Sequence, residues 1–169
     1  MEAHKGARLR ILLVEDDDHE VVLIQRAVEK AGVGHFAHVV RDGQEAIHYL
    51  TGNGAFCDRA RFPLPNLIIT DLKMPRTDGF QFLRWLRSHS EYDSLPAVML
   101  SNSYIPSDVQ QAYRLGANSF FTKPTGFHQF VELLGLIYAY WSHCELPPVL
   151  EKRDKGRRSR AALAQNQPA

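Results

Sequence analysis

Asp71 closes the apolar run Leu67-Ile68-Ile69-Thr70 and opens a turn-bearing stretch, Leu72-Lys73-Met74-Pro75-Arg76-Thr77-Asp78-Gly79. Glu15 and Asp16 close a second apolar run, Leu9 to Val14, and Lys123 closes a third segment, Ser119 to Thr122. Magnesium prefers hard oxygen ligands and usually takes few protein carboxylates, completing its shell with water and phosphate. Carboxylates crowded together repel and raise one another's pKa; a divalent ion removes that penalty and shields an incoming phosphate. The expectation is that Asp71 accepts a phosphoryl group as an acyl phosphate, with Mg2+ held beside it by Glu15, Asp16 and Asp71 itself. Lys123 would supply a fixed positive charge to the phosphoryl oxygens and Ser101 a hydroxyl donor. No oriented base is needed, because a carboxylate is already ionised at neutral pH. Pro124 after Lys123 suggests a cis peptide bond that would fix where the ammonium points.

Each residue also has an ordinary explanation. Glu15 to Asp18 reads as an acidic cluster at a helix start, Asp71 as a turn starter, Lys123 as a surface cation and Ser101 as a strand-end hydroxyl. What joins them is position: each falls at the carboxyl end of a strand, where open α/β sheets place their ligands.

The elements that must hold them there alternate five times. Strands are expected at 8–14, 36–40, 67–71, 96–100 and 119–122, the third buried on both faces because its apolar run is unbroken. Helices are expected at about 19–31 with Gly32 as its stop, 43–50 behind an Asp42–Glu45 capping box, and 79–89 behind Asp78, with Phe80, Leu83 and Leu86 on one face. A fourth begins at a Ser107–Gln110 capping box, with Val109, Ala112 and Tyr113 inward and Gly116 as its stop. The fifth runs from about Phe127 to His143, with Leu133, Leu134, Ile137 and Trp141 as its core stripe, before Pro147-Pro148 breaks it. Residues 51–66 read as a long loop. This alternation predicts a doubly wound parallel sheet with helices on both faces, whose right-handed crossovers bring the strand ends to one edge.

At 169 residues, 44% hydrophobic and 23% charged, the chain suits one soluble domain with a single sizeable core and a tail. The net charge of +1 conceals an uneven distribution: Glu151 to Arg160 holds six cations and two acids, a net of +4. Residues 8–146 are expected to form the domain, 1–7 a loose leader and 147–169 a disordered basic tail. The early apolar run is too short for a signal peptide, and nothing approaches the roughly 18 apolar residues of a membrane span, so a cytoplasmic protein is expected. Cys57 and Cys144 form no CxxC pair and suit reduced thiols. His35 and His38, three apart on a strand, would face opposite ways, which argues against a metal site there.

The set Glu15-Asp16, Asp71-x-x-Met74-Pro75-x-x-Asp78-Gly79, Ser101 and Lys123-Pro124 resembles the receiver domain of two-component response regulators over roughly residues 8 to 143. The resemblance implies a CheY-like, flavodoxin-like five-stranded sheet of order 2-1-3-4-5, and phosphorylation of Asp71 by a histidine kinase or phosphotransfer protein. It implies Mg2+ bound by Asp16, Asp71 and the backbone carbonyl of Lys73, with Glu15 acting through water. It implies signalling by a shift of the helix 4, strand 5 and helix 5 face. With no DNA-binding output domain in view, the chain looks like a stand-alone regulator. Its long loop before strand three and its aromatic last helix (Phe130, Tyr138, Tyr140, Trp141) look most like the subgroup that partners bacterial phytochrome kinases. The surplus aromatic face suggests a homodimer. Phe120 stands at the position of the family's aromatic switch residue, while Lys73 and Ser103 flank the family's route for hydrolytic water.

Three rivals are weighed against this. A magnesium-dependent aspartyl phosphatase of the haloacid dehalogenase kind needs an acid two residues after its nucleophile, where this chain has Lys73. A receiver-fold scaffold that never takes phosphate need not keep the acidic pair, Ser101 and Lys123. A flavodoxin-like electron carrier would need a phosphate-cradling loop that the turns lack.

Overall fold

The computed structural model describes residues 9–34 and 36–148. The expected leader, His35 and nearly all of the basic tail lie outside the described residues.

Five parallel strands form one sheet: β1 (Ile11–Val14), β2 (His38–Val40), β3 (Leu67–Thr70), β4 (Ala97–Ser101) and β5 (Ser119–Thr122), in the order β2-β1-β3-β4-β5. Five helices alternate with them: α1 (Asp18–Ala31), α2 (Gly43–Thr51), α3 (Gly79–Ser88), α4 (Pro106–Arg114) and α5 (Phe127–His143). Successive strand side chains point to opposite faces, and this splits the core in two. Leu12, Val14, Ile68 and Met99 meet Tyr49 and Leu50 of α2 and Phe82, Leu83 and Leu86 of α3. Ile11, Leu13, Ile69 and Leu100 meet Ile24 and Val28 of α1 and Phe130, Leu134, Ile137 and Trp141 of α5. The unbroken apolar character of β1, β3 and β4 follows, because both of their faces are covered.

Register decides where the chemistry falls. Val14 pairs with Thr70, so Glu15 and Asp71 emerge side by side from neighbouring strands. Ser101 pairs with Thr122, which puts Lys123 next in line. Backbone bonds extend each ladder one step further, Asp71 N donating to Val14 O at 2.9 Å and Lys123 N to Ser101 O at 2.8 Å.

Helix starts mostly follow the expected caps. Asp17 accepts from the N–H groups of His19 and Glu20, Gly32 ends α1 at φ 67°, and Asp78 with Gln81 forms a complete capping box. Asp42 accepts from Glu45 N, but Glu45 turns its carboxylate to the N–H of Arg41 instead of closing a box.

Four further expectations need correction. The α4 start has no Ser107–Gln110 box: the helix begins at Pro106, whose missing N–H costs nothing at the first position, with Ile105 before it. Only Ala112 of α4 is buried; Tyr113 is 51% exposed and its hydroxyl accepts from Phe120 N. The Lys123–Pro124 peptide bond is trans. In α3 the buried face is Phe82, Leu83 and Leu86, with Phe80 half-buried against the same core.

The 51–66 segment is better ordered than a plain loop. It contains a short 3-10 turn (Gly54–Phe56), and Phe56 and Phe62 pack with Tyr49 around the His38 ring. Arg59 binds it to α2 through the carbonyls of Tyr49 and Leu50, each at 2.7 Å. Cys57 and Cys144 are both free thiols.

Candidate functional site

The order of the sheet reverses between β1 and β3, and the crevice outside their carboxyl ends is the place such folds offer to a ligand. Here it is acidic. Carboxylate oxygens of Glu15, Asp16 and Asp71 all lie within 4.8 Å of one another. Glu15 is 2% exposed and Asp71 8%, while Asp16 is open to solvent. The acidic run after β1 therefore divides by role: Asp17 caps α1, Asp18 pairs with Arg41 at 2.7 Å, and Glu15 and Asp16 face Asp71.

Lys123 reaches the crevice from the end of β5. Its Nζ lies 2.7 Å from Glu15 Oε2, 3.6 Å from Asp71 Oδ2 and 3.7 Å from Glu20 Oε2. Glu20 was not foreseen, although its place in the first turn of α1 aims it back at the strand ends. Burial pushes the Glu15 carboxyl above its ordinary range, and the Lys123 ammonium only partly offsets this. For Lys123 burial acts downward, but the Asp71 and Glu15 carboxylates outweigh it and hold the ammonium charged. Three acids facing one buried ammonium leave an excess of negative charge among hard oxygen donors. That donor set fits a small divalent cation, with Glu15, Asp16 and Asp71 as the residues able to hold it.

Asp71 itself is fixed. Its Oδ1 accepts from Leu72 N at 2.6 Å, so Oδ2 remains on the Lys123 side. Gly79 secures the turn beyond: its N–H donates to Leu72 O at 2.9 Å, and a Cβ there would overlap the carbonyl oxygen of Asp71. Ser101 is buried at the end of β4, its Oγ accepting from Ser103 N at 3.3 Å, and Ser103 Oγ donates to Asp108 of α4 at 2.5 Å. Lys73 follows on the exposed part of the β3–α3 loop. Phe120 is half-buried against the α2–α3 layer. His38 serves packing: its ring stacks on Tyr49 with centroids 5.3 Å apart, and burial lowers its pKa.

Fold and crevice together define a doubly wound α/β protein with a lysine-faced acidic site at its switch point. The chain belongs to the response regulator receiver domain family, whose sequence pattern matches residues 11–135, and is a signalling protein of two-component systems. It is 30% identical over 131 residues to the response regulator Rcp1 of Synechocystis, covering 78% of this chain and 87% of that one. It is 32% identical over 134 residues to the probable methanogenesis regulatory protein FilR2 of Methanothrix harundinacea, covering 78% and 82%. Among solved structures it resembles the response regulator RPA3017 in red light signalling of R. palustris, with TM-score 0.78, 28% identity and coverage of 83% and 99%. It also resembles the phosphorylated cyanobacterial phytochrome response regulator RcpA, with TM-score 0.75, 33% identity and coverage of 84% and 100%. Receiver domains bind Mg2+ at an acidic pocket, and Rcp1 has been solved in a Mn2+-bound form. Among the described residues no helix is long and apolar enough to cross a membrane.

Proposed function

We propose that Asp71 is the phosphoacceptor of this response regulator, in a receiver unit spanning residues 8–146, and that its donor is a phosphohistidine on a histidine kinase or phosphotransfer protein. The observation that carries this is the buried Asp71 carboxylate, one oxygen held by Leu72 N and the other 3.6 Å from Lys123, inside the Glu15–Asp16 cluster. Oδ2 attacks phosphorus; the new O–P bond forms as the N–P bond of the phosphohistidine breaks, and that electron pair returns to the imidazole nitrogen. Asp16, Asp71 and the Lys73 carbonyl would hold Mg2+, with Glu15 behind them, and the bound ion would supply positive charge to the phosphoryl oxygens. Lys123 moves from its carboxylate partners onto one phosphoryl oxygen, and Ser101 donates its hydroxyl to another. The chain turns over only its own phosphoryl group.

The signal is a population shift. Ser101 is linked through Ser103 to Asp108, so drawing the hydroxyl inward pulls on α4 and repacks the α4, β5 and α5 face. That face already exposes Tyr104, Ile105, Tyr113 and Phe127. The similarity to RcpA and RPA3017 supports a kinase of the bacteriophytochrome type as the donor.

The test is phosphotransfer from a panel of purified, 32P-labelled histidine kinases that includes phytochrome kinases, with Mg2+ present. Asp71 is expected to be labelled fastest by a phytochrome kinase, and Asp71→Asn to take no label. Label on Asp71→Asn would show that another residue is the acceptor; a faster donor of another type would remove the phytochrome assignment.

A further inference from the structure

The β3–α3 loop leaves the crevice at Asp71 and returns to the helical layer at Gly79. Between these points it lies on the amino end of α2. Gly43 N donates to Thr77 O at 3.0 Å, and a Cβ at Gly43 would overlap both Thr77 and Phe82. One residue earlier, the Arg76 guanidinium donates through Nε and Nη2 to Asp42 Oδ2. Asp42 is 1% exposed, and its other oxygen caps α2 by accepting from Glu45 N at 2.8 Å. Arg76 is also the only non-glycine residue with positive φ, 61°, among the described residues. An L-residue in this left-handed region is strained by its Cβ, so it needs outside support. Its ion pair to a carboxylate that is itself buried and hydrogen-bonded supplies that support.

Lys73, whose carbonyl is a ligand in the function proposed above, lies in the same loop three positions before Arg76. Leu72 and Met74 on either side are buried, while Lys73 stands exposed with its backbone in the loop. We infer that Arg76, through its ion pair with Asp42, is a positioning residue that holds the β3–α3 loop and its Lys73 carbonyl in register for the divalent cation at Glu15, Asp16 and Asp71. The inference rests on the proposed reading of those carboxylates and the Lys73 carbonyl as a cation site.

Simple electrostatics makes the opposite forecast for one half of the pair. Arg76 is a cation near an acidic crevice, so deleting its charge should tighten divalent-ion binding, whereas deleting the Asp42 charge should weaken it. Positioning requires that both deletions weaken it. Two substitutions suit the test because they spare the fold. Asn caps a helix as well as Asp, so Asp42→Asn keeps the start of α2. Gly adopts positive φ freely, so Arg76→Gly relieves the strained backbone while removing the guanidinium.

Mn2+ binding to the full chain, read by loss of the free-ion electron paramagnetic resonance signal, decides the matter, with urea unfolding run alongside. Arg76→Gly and Asp42→Asn should each raise the Mn2+ dissociation constant by on the order of tenfold, the range found when groups that orient a metal ligand are removed. The double variant should be no weaker than either single one, because the two act as a unit. Arg76→Lys, which keeps the charge without the planar fork, should lose less than Arg76→Gly. Tighter or unchanged Mn2+ binding by Arg76→Gly overturns the inference, whatever the unfolding curves show. If Asp16→Asn abolishes binding while Arg76→Gly leaves it intact, only the positioning role falls. If the unsubstituted chain binds no Mn2+, or Asp16→Asn leaves binding unchanged, the cation site falls and this role with it.

Discussion

Replacing Lys123 with Met asks what the buried ammonium does before any phosphate arrives. Lys123 Nζ is 2.7 Å from Glu15 Oε2 and 3.6 Å from Asp71 Oδ2, and the Lys123 and Glu15 side chains are only 3% and 2% exposed. Met fills nearly the same volume, so little packing is lost. What remains is a buried carboxylate without its partner, and breaking one side of a buried pair costs about 3–5 kcal/mol. Glu15 has a way to reduce that cost. Burial already raises its pKa above 4.5, and without Lys123 it rises further, so the folded variant takes up a proton that the unfolded chain does not. A carboxyl raised in the folded state favours folding increasingly as pH falls through its folded pKa towards its unfolded one, so the deficit should be largest at neutral pH and shrink on acidification. Mg2+ offers a second relief. Binding to the folded chain alone stabilises it by about 1.4 kcal/mol at tenfold excess over the dissociation constant, and the increment should grow once no ammonium competes for the carboxylates. The assay is urea unfolding of both proteins at neutral and mildly acidic pH, with and without Mg2+. A fall of about 3 kcal/mol at neutral pH without metal is expected, near the lower end for a broken buried pair. A fall below about 1 kcal/mol, the value of an exposed pair, would refute the reasoning, as would a deficit that ignores both pH and Mg2+.

Two other measurements bear on His38 and on the outer face of α5. Burial lowers the His38 pKa from 6.5, so the unfolded chain binds a proton before the folded one; stability should fall as pH drops below about 6.5, and His38→Phe should flatten that slope in thermal melts across the range. Leu136 and Tyr140, one turn apart on α5, are 68% and 65% exposed, and a second copy is the partner we propose for them. A concentration series in analytical ultracentrifugation should show dimer growth that Leu136→Glu reduces; monomer alone throughout would exclude that pairing.

Much of this architecture was legible in the chain. The runs before Glu15 and Asp71 announce strands covered on both faces, and the placement of four polar residues at strand ends already outlines the crevice. Gly32, Asp78 and the limits of α5 also read correctly, because each depends on local backbone chemistry. The misreadings occur where tertiary contacts prevail. Ser107 lost its capping role to the Pro106 start, and Tyr113 sits on the solvent side because α4 needs only Ala112 against the sheet. Phe56 and Phe62, buried and half-buried within an apparent loop, were the available sign that this segment packs on α2. The Arg76–Asp42 pair spans 34 positions and combines a helix cap with an unremarkable arginine, so no spacing rule could have found it.

The slender seating of α4 bears on how little energy the proposed shift would require. Its single fully buried side chain is a methyl, and moving one methyl out of an apolar layer costs about 0.8 kcal/mol. The α4 shift proposed above would therefore disturb one small contact with the interior, so a modest bias at the crevice would suffice to drive it while the scaffold beneath stays still.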